Sequence, residues 1–253
     1  MLRDLYQQGS AKARLPTTFD GGPPEAVLIN LAGGLTGGDR LRQSANFEEG
    51  THAIVTTQAA EKVYRASKGS GPARITNRLT VEAATSEWLP QETIFFDGAR
   101  LHRTFEAALT KDARLLACEA TVFGRTAMGE TVHHGYFRDD WRITVDGRLI
   151  FADGFCLDGA IQDQLDRPAV AAGGRALAVV LYVGLDSEDL ITLAKGVLEP
   201  FQAAGKRAAA SRIGDLIIAR FIAADGLALR SMLDAYLSTI KRGAAGAPKL
   251  WRC

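Results

Sequence analysis

Arg74-Ile75-Thr76-Asn77-Arg78-Leu79-Thr80-Val81-Glu82 carries the pattern that decides the fold. Ile75, Leu79 and Val81 alternate with Arg74, Arg78, Thr80 and Glu82, and successive side chains of an extended strand point to opposite faces. One face is therefore apolar and the other wet. The same period recurs where Leu101, Phe105, Ala107 and Leu109 are set against His102, Thr104 and Glu106. It returns where Ile143 and Val145 alternate with Arg142, Thr144 and Asp146, and Asp146-Gly147 then marks a hairpin turn into residues 148–155. Further strands are expected over 26–31, 41–48, 53–57, 87–95 and 114–122. Strands this numerous, with turn signals about every ten residues, predict stacked antiparallel sheets.

The last third changes character. Residues 176–183 read as a fully buried strand. Leu190, Leu193, Ala194, Val197, Leu198 and Phe201 then form a stripe at helical spacing over 187–203, with Asp186 or Ser187 placed to cap its start. Residues 217–222 read as a strand. Leu229, Met232, Leu233, Tyr236, Leu237 and Ile240 form a second helical stripe, stopped by Lys241-Arg242-Gly243. The fold class is thus mainly β with a small α/β part. We read 1–253 as one composite domain, β-rich over 1–175, α/β over 176–242 and a tail over 243–253. No internal repeat or linker is visible.

The 253 residues suffice to bury roughly 70–75% of the unfolded surface. A net charge of +1 gives no electrostatic reason to expect nucleic acid or a membrane surface. No apolar signal region opens the chain, and the longest apolar stretch, 176–185, is about half a membrane span. A cytoplasmic location is expected. Cys118, Cys156 and Cys253 form an odd set without C-x-x-C spacing, which fits reduced thiols. Cys118 and Cys156 lie in apolar runs and read as small core residues.

Ala32-Gly33-Gly34-Leu35-Thr36-Gly37-Gly38-Asp39 places four glycines in six positions. Such a backbone needs positive φ or very close approach to a neighbour. A phosphate cradle is excluded: no Lys-Ser/Thr follows the last glycine, Asp39 would repel an anion, and G-x-G-x-x-G cannot be laid on these positions. Nor is a nucleophile with its base visible. No G-x-S-x-G elbow occurs, and the adjacent His133 and His134 would point to opposite faces of a strand. Carboxylates are the more informative groups. Glu119 interrupts an otherwise apolar strand, Asp153 ends another, Asp39 closes the glycine segment, and burying an ionised carboxylate is costly unless it is paired. Each also has a structural reading: Asp39 as a turn residue, Asp153 with Gly154 as a bulge, Glu119 as partner of a buried arginine such as Arg125.

Four motifs in order resemble one family. After the glycine segment come Thr56-Thr57-Gln58-Ala59-Ala60-Glu61-Lys62-Val63-Tyr64-Arg65, then Glu87-Trp88-Leu89-Pro90-Gln91-Glu92-Thr93-Ile94-Phe95-Phe96-Asp97-Gly98-Ala99, then Phe123-Gly124-Arg125-Thr126-Ala127-Met128-Gly129-Glu130. The series resembles the urease accessory proteins called UreD or UreH, over nearly the whole chain. The resemblance implies a mostly β protein with two helices that is not itself an enzyme. It implies complexes with a helical accessory partner (UreF-like), a GTPase partner (UreG-like) and apo-urease, and assistance with nickel insertion. No Walker motif is present, so GTP hydrolysis would belong to the partner. The motif residues carried over are Gly33, Gly34, Gly37, Gly38, Lys62, Tyr64, Arg65, Gly124, Arg125 and Glu130; Thr57, Lys62, Tyr64 and Arg65 are expected to dock or order the glycine loop.

Nickel chemistry fits acids rather than a His/Cys cage. Imidazole and thiolate sites hold Ni²⁺ tightly, whereas a protein that passes the ion on needs weaker sites. Asp39, Glu119 and Asp153 are therefore the candidates for a transient Ni²⁺ route, with no cofactor tightly bound. A hydrolase using paired carboxylates is the alternative, and requires two acids at catalytic separation in an open cleft. A carbohydrate-binding β module is a third reading, disfavoured because Trp88 and Trp141 both fall in strand-like runs.

Overall fold

The computed structural model describes residues 2–17, 21–125, 128–204, 206–242 and 247–252. The alternating stretches form β1 (Ala11–Arg14), β2 (Glu25–Asn30), β3 (Arg40–Phe47), β4 (His52–Thr57), β5 (Glu61–Val63), β6 (Ala73–Val81), β7 (Thr85–Leu89), β8 (Thr93–Phe95), β9 (Arg100–Leu109), β10 (Arg114–Phe123), β11 (His134–Val145) and β12 (Arg148–Ala160). After α1 (Ile161–Asp166) come β13 (Ala176–Val183), α2 (Ser187–Gly196), α3 (Glu199–Ala203), β14 (Arg207–Ile213), β15 (Leu216–Ala223), α4 (Gly226–Ile240) and a final 3-10 turn, Lys249–Arg252. The mainly β class with few helices is as the sequence predicts.

The stacked sheets are present, but the antiparallel expectation is corrected: eight strand pairings are parallel and five antiparallel among the described residues. One sheet of ten strands runs β1-β2-β4-β7-β10-β13-β15-β14, with β8 pairing to β10 and β5 to β8. The other runs β12-β11-β9-β6-β3. Period-two alternation reports that one face is buried; it says nothing about the direction of the neighbour. Here the chain leaves the small sheet after β3, β6 and β9, crosses the large one, and returns; only β11 turns straight back, through a hairpin, into β12. Arg40 thus stands beside Arg74, Arg74 beside His102, and His102 beside Arg138, all in parallel register. That is the connectivity of a β-solenoid, whose coils need not share sequence.

Strand β10 lies in the middle of the large sheet and is buried on both faces, which explains its unbroken apolar run. Leu115, Ala117 and Phe123 face the small sheet. Leu116, Cys118, Ala120 and Val122 face a core covered by α2 and α4. The predicted second helical stripe is the buried face of α4, whose N-terminus is capped by Asp225 accepting from Ala228 N at 2.8 Å. The first predicted helix divides into α2 and α3. Pro200, in the first turn of α3, cannot supply an N–H to a preceding turn. Asp186 stands at the N-cap of α2 without a side-chain cap bond.

Smaller corrections follow from packing. The strand expected over 87–95 is interrupted at Pro90-Gln91-Glu92, so β7 and β8 separate. Strand β14 went unpredicted because its small residues, Ala208 and Ala210, carry little hydrophobic signal. Cys118 is a core residue, but Cys156 lies on the outward face of β12 and is exposed. The hairpin at Asp146-Gly147 has φ of 47° and 76°, the geometry expected of a type I′ turn. Trp251 folds back on the core, donating Nε1–H to Leu89 O at 3.1 Å. Gly243, Thr126, Ala127 and Cys253 lie outside the described residues.

Candidate functional site

Between the sheets, three strands of the small sheet each point one polar side chain inward between two apolar ones. On β6 the order is Ile75, Asn77, Leu79; on β9 it is Leu101, Arg103, Phe105; on β11 it is Phe137, Asp139, Trp141. From the opposite sheet Glu119 and Thr121 of β10 point the same way. The result is a polar layer that divides the inter-sheet interior into two apolar clusters.

Arg103, only 2% exposed, is the hub. Its Nε and Nη2 donate to Asp139 Oδ1 and Oδ2 at 2.9 and 2.7 Å, a bidentate pair. Nη1 donates to Glu119 Oε2 at 2.8 Å and to Thr93 Oγ1 at 3.3 Å, and Nη2 also to Thr121 Oγ1 at 3.3 Å. All five guanidinium N–H groups therefore have acceptors. Glu119 Oε1 accepts from Asn77 Nδ2 and from Trp88 Nε1, both at 2.9 Å. Asn77 Oδ1 has no partner among the described residues.

Two carboxylates share one guanidinium here, so full ionisation leaves one excess negative charge in a buried layer. Burial pushes the Glu119 carboxyl up, Asp139 adds to the rise, and Arg103 with the two N–H donors opposes it. Burial alone would lower the Arg103 pKa, but Asp139 and Glu119 outweigh it and hold the guanidinium protonated. Because the folded Glu119 value lies above the unfolded one, its contribution to stability is full below the unfolded value and is lost as pH rises through the folded value. The melting-temperature difference, Glu119→Gln minus wild type, is accordingly expected to fall as pH drops through the folded Glu119 value toward the ordinary carboxylate range. Paired melting curves test this; a pH-independent difference would refute it. Asp97 and Asp140, both held below the usual carboxylate range, are common to the two proteins and cancel.

The glycine loop, β5 and the segments around Phe96 and Arg125 assemble at one end of the stack. Leu35 N donates to Lys62 O at 2.7 Å and Tyr64 N to Leu35 O at 2.8 Å, laying the loop beside β5. Tyr64 OH donates to Gly33 O at 3.3 Å, and Thr36 Oγ1 to Arg65 O at 3.0 Å. Gly34 has φ of 150°, and a Cβ there would stand 2.5 Å from Tyr64 Cε2 and 2.7 Å from Lys62 O. Both demands inferred from the sequence, positive φ and close approach, are met at this one residue. Thr57 Oγ1 instead accepts from Gln91 N.

The contacts continue outward. The Tyr64 and Phe96 rings lie 5.0 Å apart, Arg125 sits 4.9 Å from the Phe96 centroid, and Arg125 Nε donates to Glu130 Oε2 at 3.0 Å. Gly124 has φ of 76°, and a Cβ there would meet Glu130 O at 2.8 Å. Arg65 pairs with Asp97, whose other oxygen accepts from His133 N and His134 N at 2.8 and 3.0 Å. Burial would raise the Asp97 carboxyl, and those two amides with Arg65 bring it below its ordinary value. Glu61 is pushed up by burial, opposed by Asn30, which donates to both its oxygens.

The three proposed acids occupy separate places. Glu119 is central, and its arginine partner is Arg103 rather than Arg125. Asp39 is exposed and accepts from Thr36 N at 2.8 Å, closing its own turn. Asp153, at the rim of the small sheet, pairs with Arg220 of β15 at 2.5 Å and ties the two sheets together. No group of three or more His, Cys, Asp or Glu placed to hold a metal occurs among the described residues. Arg103, Asp139 and Asn77 were missed in the sequence; the available signal was a polar residue in the apolar phase of an alternating strand.

A family model described as UreD urease accessory protein matches residues 1–252. A urease accessory protein UreD of Agrobacterium fabrum is 45% identical over 251 residues, covering 99% of this chain and 85% of that protein. One of Rhizobium etli is 46% identical over 251 residues, covering 99% and 89%. A third, of Sinorhizobium medicae, is 46% identical over 248 residues, covering 98% and 88%.

Proposed function

This chain belongs to the UreD family of urease accessory proteins, and from that premise we propose that it is a non-enzymatic scaffold for inserting Ni²⁺ into urease in the cytoplasm. It works in complex with a helical UreF-like partner and a GTP-hydrolysing UreG-like partner, docked on apo-urease. Nickel is its cargo. The observation that carries this reading is the Arg103–Glu119–Asp139 layer, in which two buried carboxyls share one guanidinium. A buried layer with one uncompensated carboxylate favours a proton or a passing cation, and oxygen donors already engaged by Arg103, Asn77 and Trp88 bind such an ion weakly. Weak sites suit transfer rather than storage. Asp39 and Asp153 are the outer acids of the proposed route.

No observation favours the hydrolase alternative: Glu119 and Asp153 are held by different arginines, Arg103 and Arg220, and Glu119 is 5% exposed.

The test is the nickel content and activity of urease purified from cells that make its subunits and the other accessory proteins, with and without this chain. Omission is expected to leave urease intact, nickel-poor and inactive. Asp39→Ala, Glu119→Gln and Asp153→Ala are then each expected to lower activation while the accessory complex still assembles. Fully metallated urease without the chain would overturn the maturation role; normal activation by all three variants would overturn the carboxylate route alone.

A further inference from the structure

The outward face of the small sheet is arginine-rich and uncovered. Its five strands hold nine arginines and no lysine. Arg103 alone of those on β6, β9 and β11 points into the polar layer; Arg40, Arg42, Arg74, Arg78, Arg138 and Arg142 are exposed. The parallel register aligns them in rows: Arg40 opposite Arg74, then His102, then Arg138.

Several of these charges have no structural employment. Arg78 pairs with Glu106 at 2.7 Å, and Arg138 with Asp140 at 2.7 Å. Arg40, Arg42 and Arg142 have no acceptor among the described residues. Arg40 and Arg74 are like charges placed directly opposite, an arrangement that destabilises a sheet. Arg74 Nη1 lies 3.2 Å from His102 Nδ1, so that nitrogen must accept, and Nε2–H donates to Asp140 Oδ2 at 2.8 Å. The row offers planar, bidentate donors outward. Arginine forks match carboxylates geometrically, and arginine is enriched at protein interfaces where lysine is depleted.

We propose that this face is the docking surface for an acidic patch of apo-urease. The inference rests on the maturation role above. Glu106, Asp140 and Asp158 are interspersed on the same face, and a phosphate backbone would be repelled by them. A folded protein surface of mixed charge with an acidic excess can match both signs. Complementarity of this kind acts on association rate and salt dependence.

The experiment uses the triple charge reversal Arg40→Glu, Arg42→Glu, Arg142→Glu, which touches no buried contact, in the assembled accessory complex. Retention of purified apo-urease is measured across a salt series, with the melting temperature as a fold control. Wild-type complex is expected to retain apo-urease with an affinity that falls as salt rises. The triple variant should melt as wild type and bind at least about tenfold more weakly, with a flatter salt response. Equal retention and an equal salt slope would overturn the docking face while leaving the maturation role intact. A variant that keeps urease but loses wild-type binding to a short DNA duplex would reassign the face to nucleic acid. Should wild-type complex itself fail to retain urease, the maturation reading falls, and this inference with it.

Discussion

Arg103→Ala is expected to destabilise the folded chain by about 3–5 kcal/mol, because it strands Glu119 and Asp139 as unpaired carboxylates in the inter-sheet layer. That is a large part of the roughly 5–15 kcal/mol by which a domain of this kind is stable. The loss is therefore expected as a lowered urea midpoint and a larger insoluble fraction on expression. Arg103→Lys should recover part of it: an ammonium restores the charge but has three donors where the guanidinium uses five, and cannot make the bidentate bond to Asp139. Arg42→Ala, on the exposed face, is expected within about 0.5 kcal/mol of wild type. If Arg103→Ala unfolds at the wild-type urea midpoint, the polar layer does not bear on stability as argued.

Gly34→Ala should cost about 3 kcal/mol and release the glycine loop from β5. Two effects combine. An alanine at φ of 150° is strained, and its Cβ would overlap Lys62 O, which is itself the acceptor for Leu35 N. Backbone cannot yield there without breaking that bond. Gly33→Ala separates the two effects: φ is 75°, nothing stands within 4 Å of a Cβ, and strain alone of about 1 kcal/mol is expected. Comparable midpoint shifts for the two variants would mean that crowding against Tyr64 and Lys62 is absent. Faster hydrogen exchange at the Leu35 and Tyr64 amides in Gly34→Ala is the local counterpart of the stability loss.

Much of this was legible beforehand. Strands at Arg40–Phe47, Ala73–Val81 and Arg100–Leu109 follow from alternation, and α4 from a stripe whose six apolar residues are its buried face. The convergence of segments from all four motifs at one end of the stack was not derivable from their order. The polar layer was legible in principle. Asn77, Arg103 and Asp139 occupy apolar-phase positions of their strands, and passing over them left Glu119 without its true partner. Cys156 was misplaced for the opposite reason: its neighbours Phe155 and Leu157 are apolar, yet β12 is an edge strand whose alternate residues face solvent.

By itself the sequence determined the family, the mainly β class, the positions of most strands, both major helices and the need for glycine at the doubled pair. The family rests on four motifs in order along the chain; the rest follows from local steric and hydrophobic rules that act within a few residues. Only the tertiary structure decided that many neighbouring strands run parallel, that one arginine binds acids from two sheets, and that outward arginines from successive coils line up in rows. Those features join residues tens of positions apart. Their pairing depends on where each circuit of the chain returns, and that is set by loop lengths and by packing of the whole stack rather than by any local pattern.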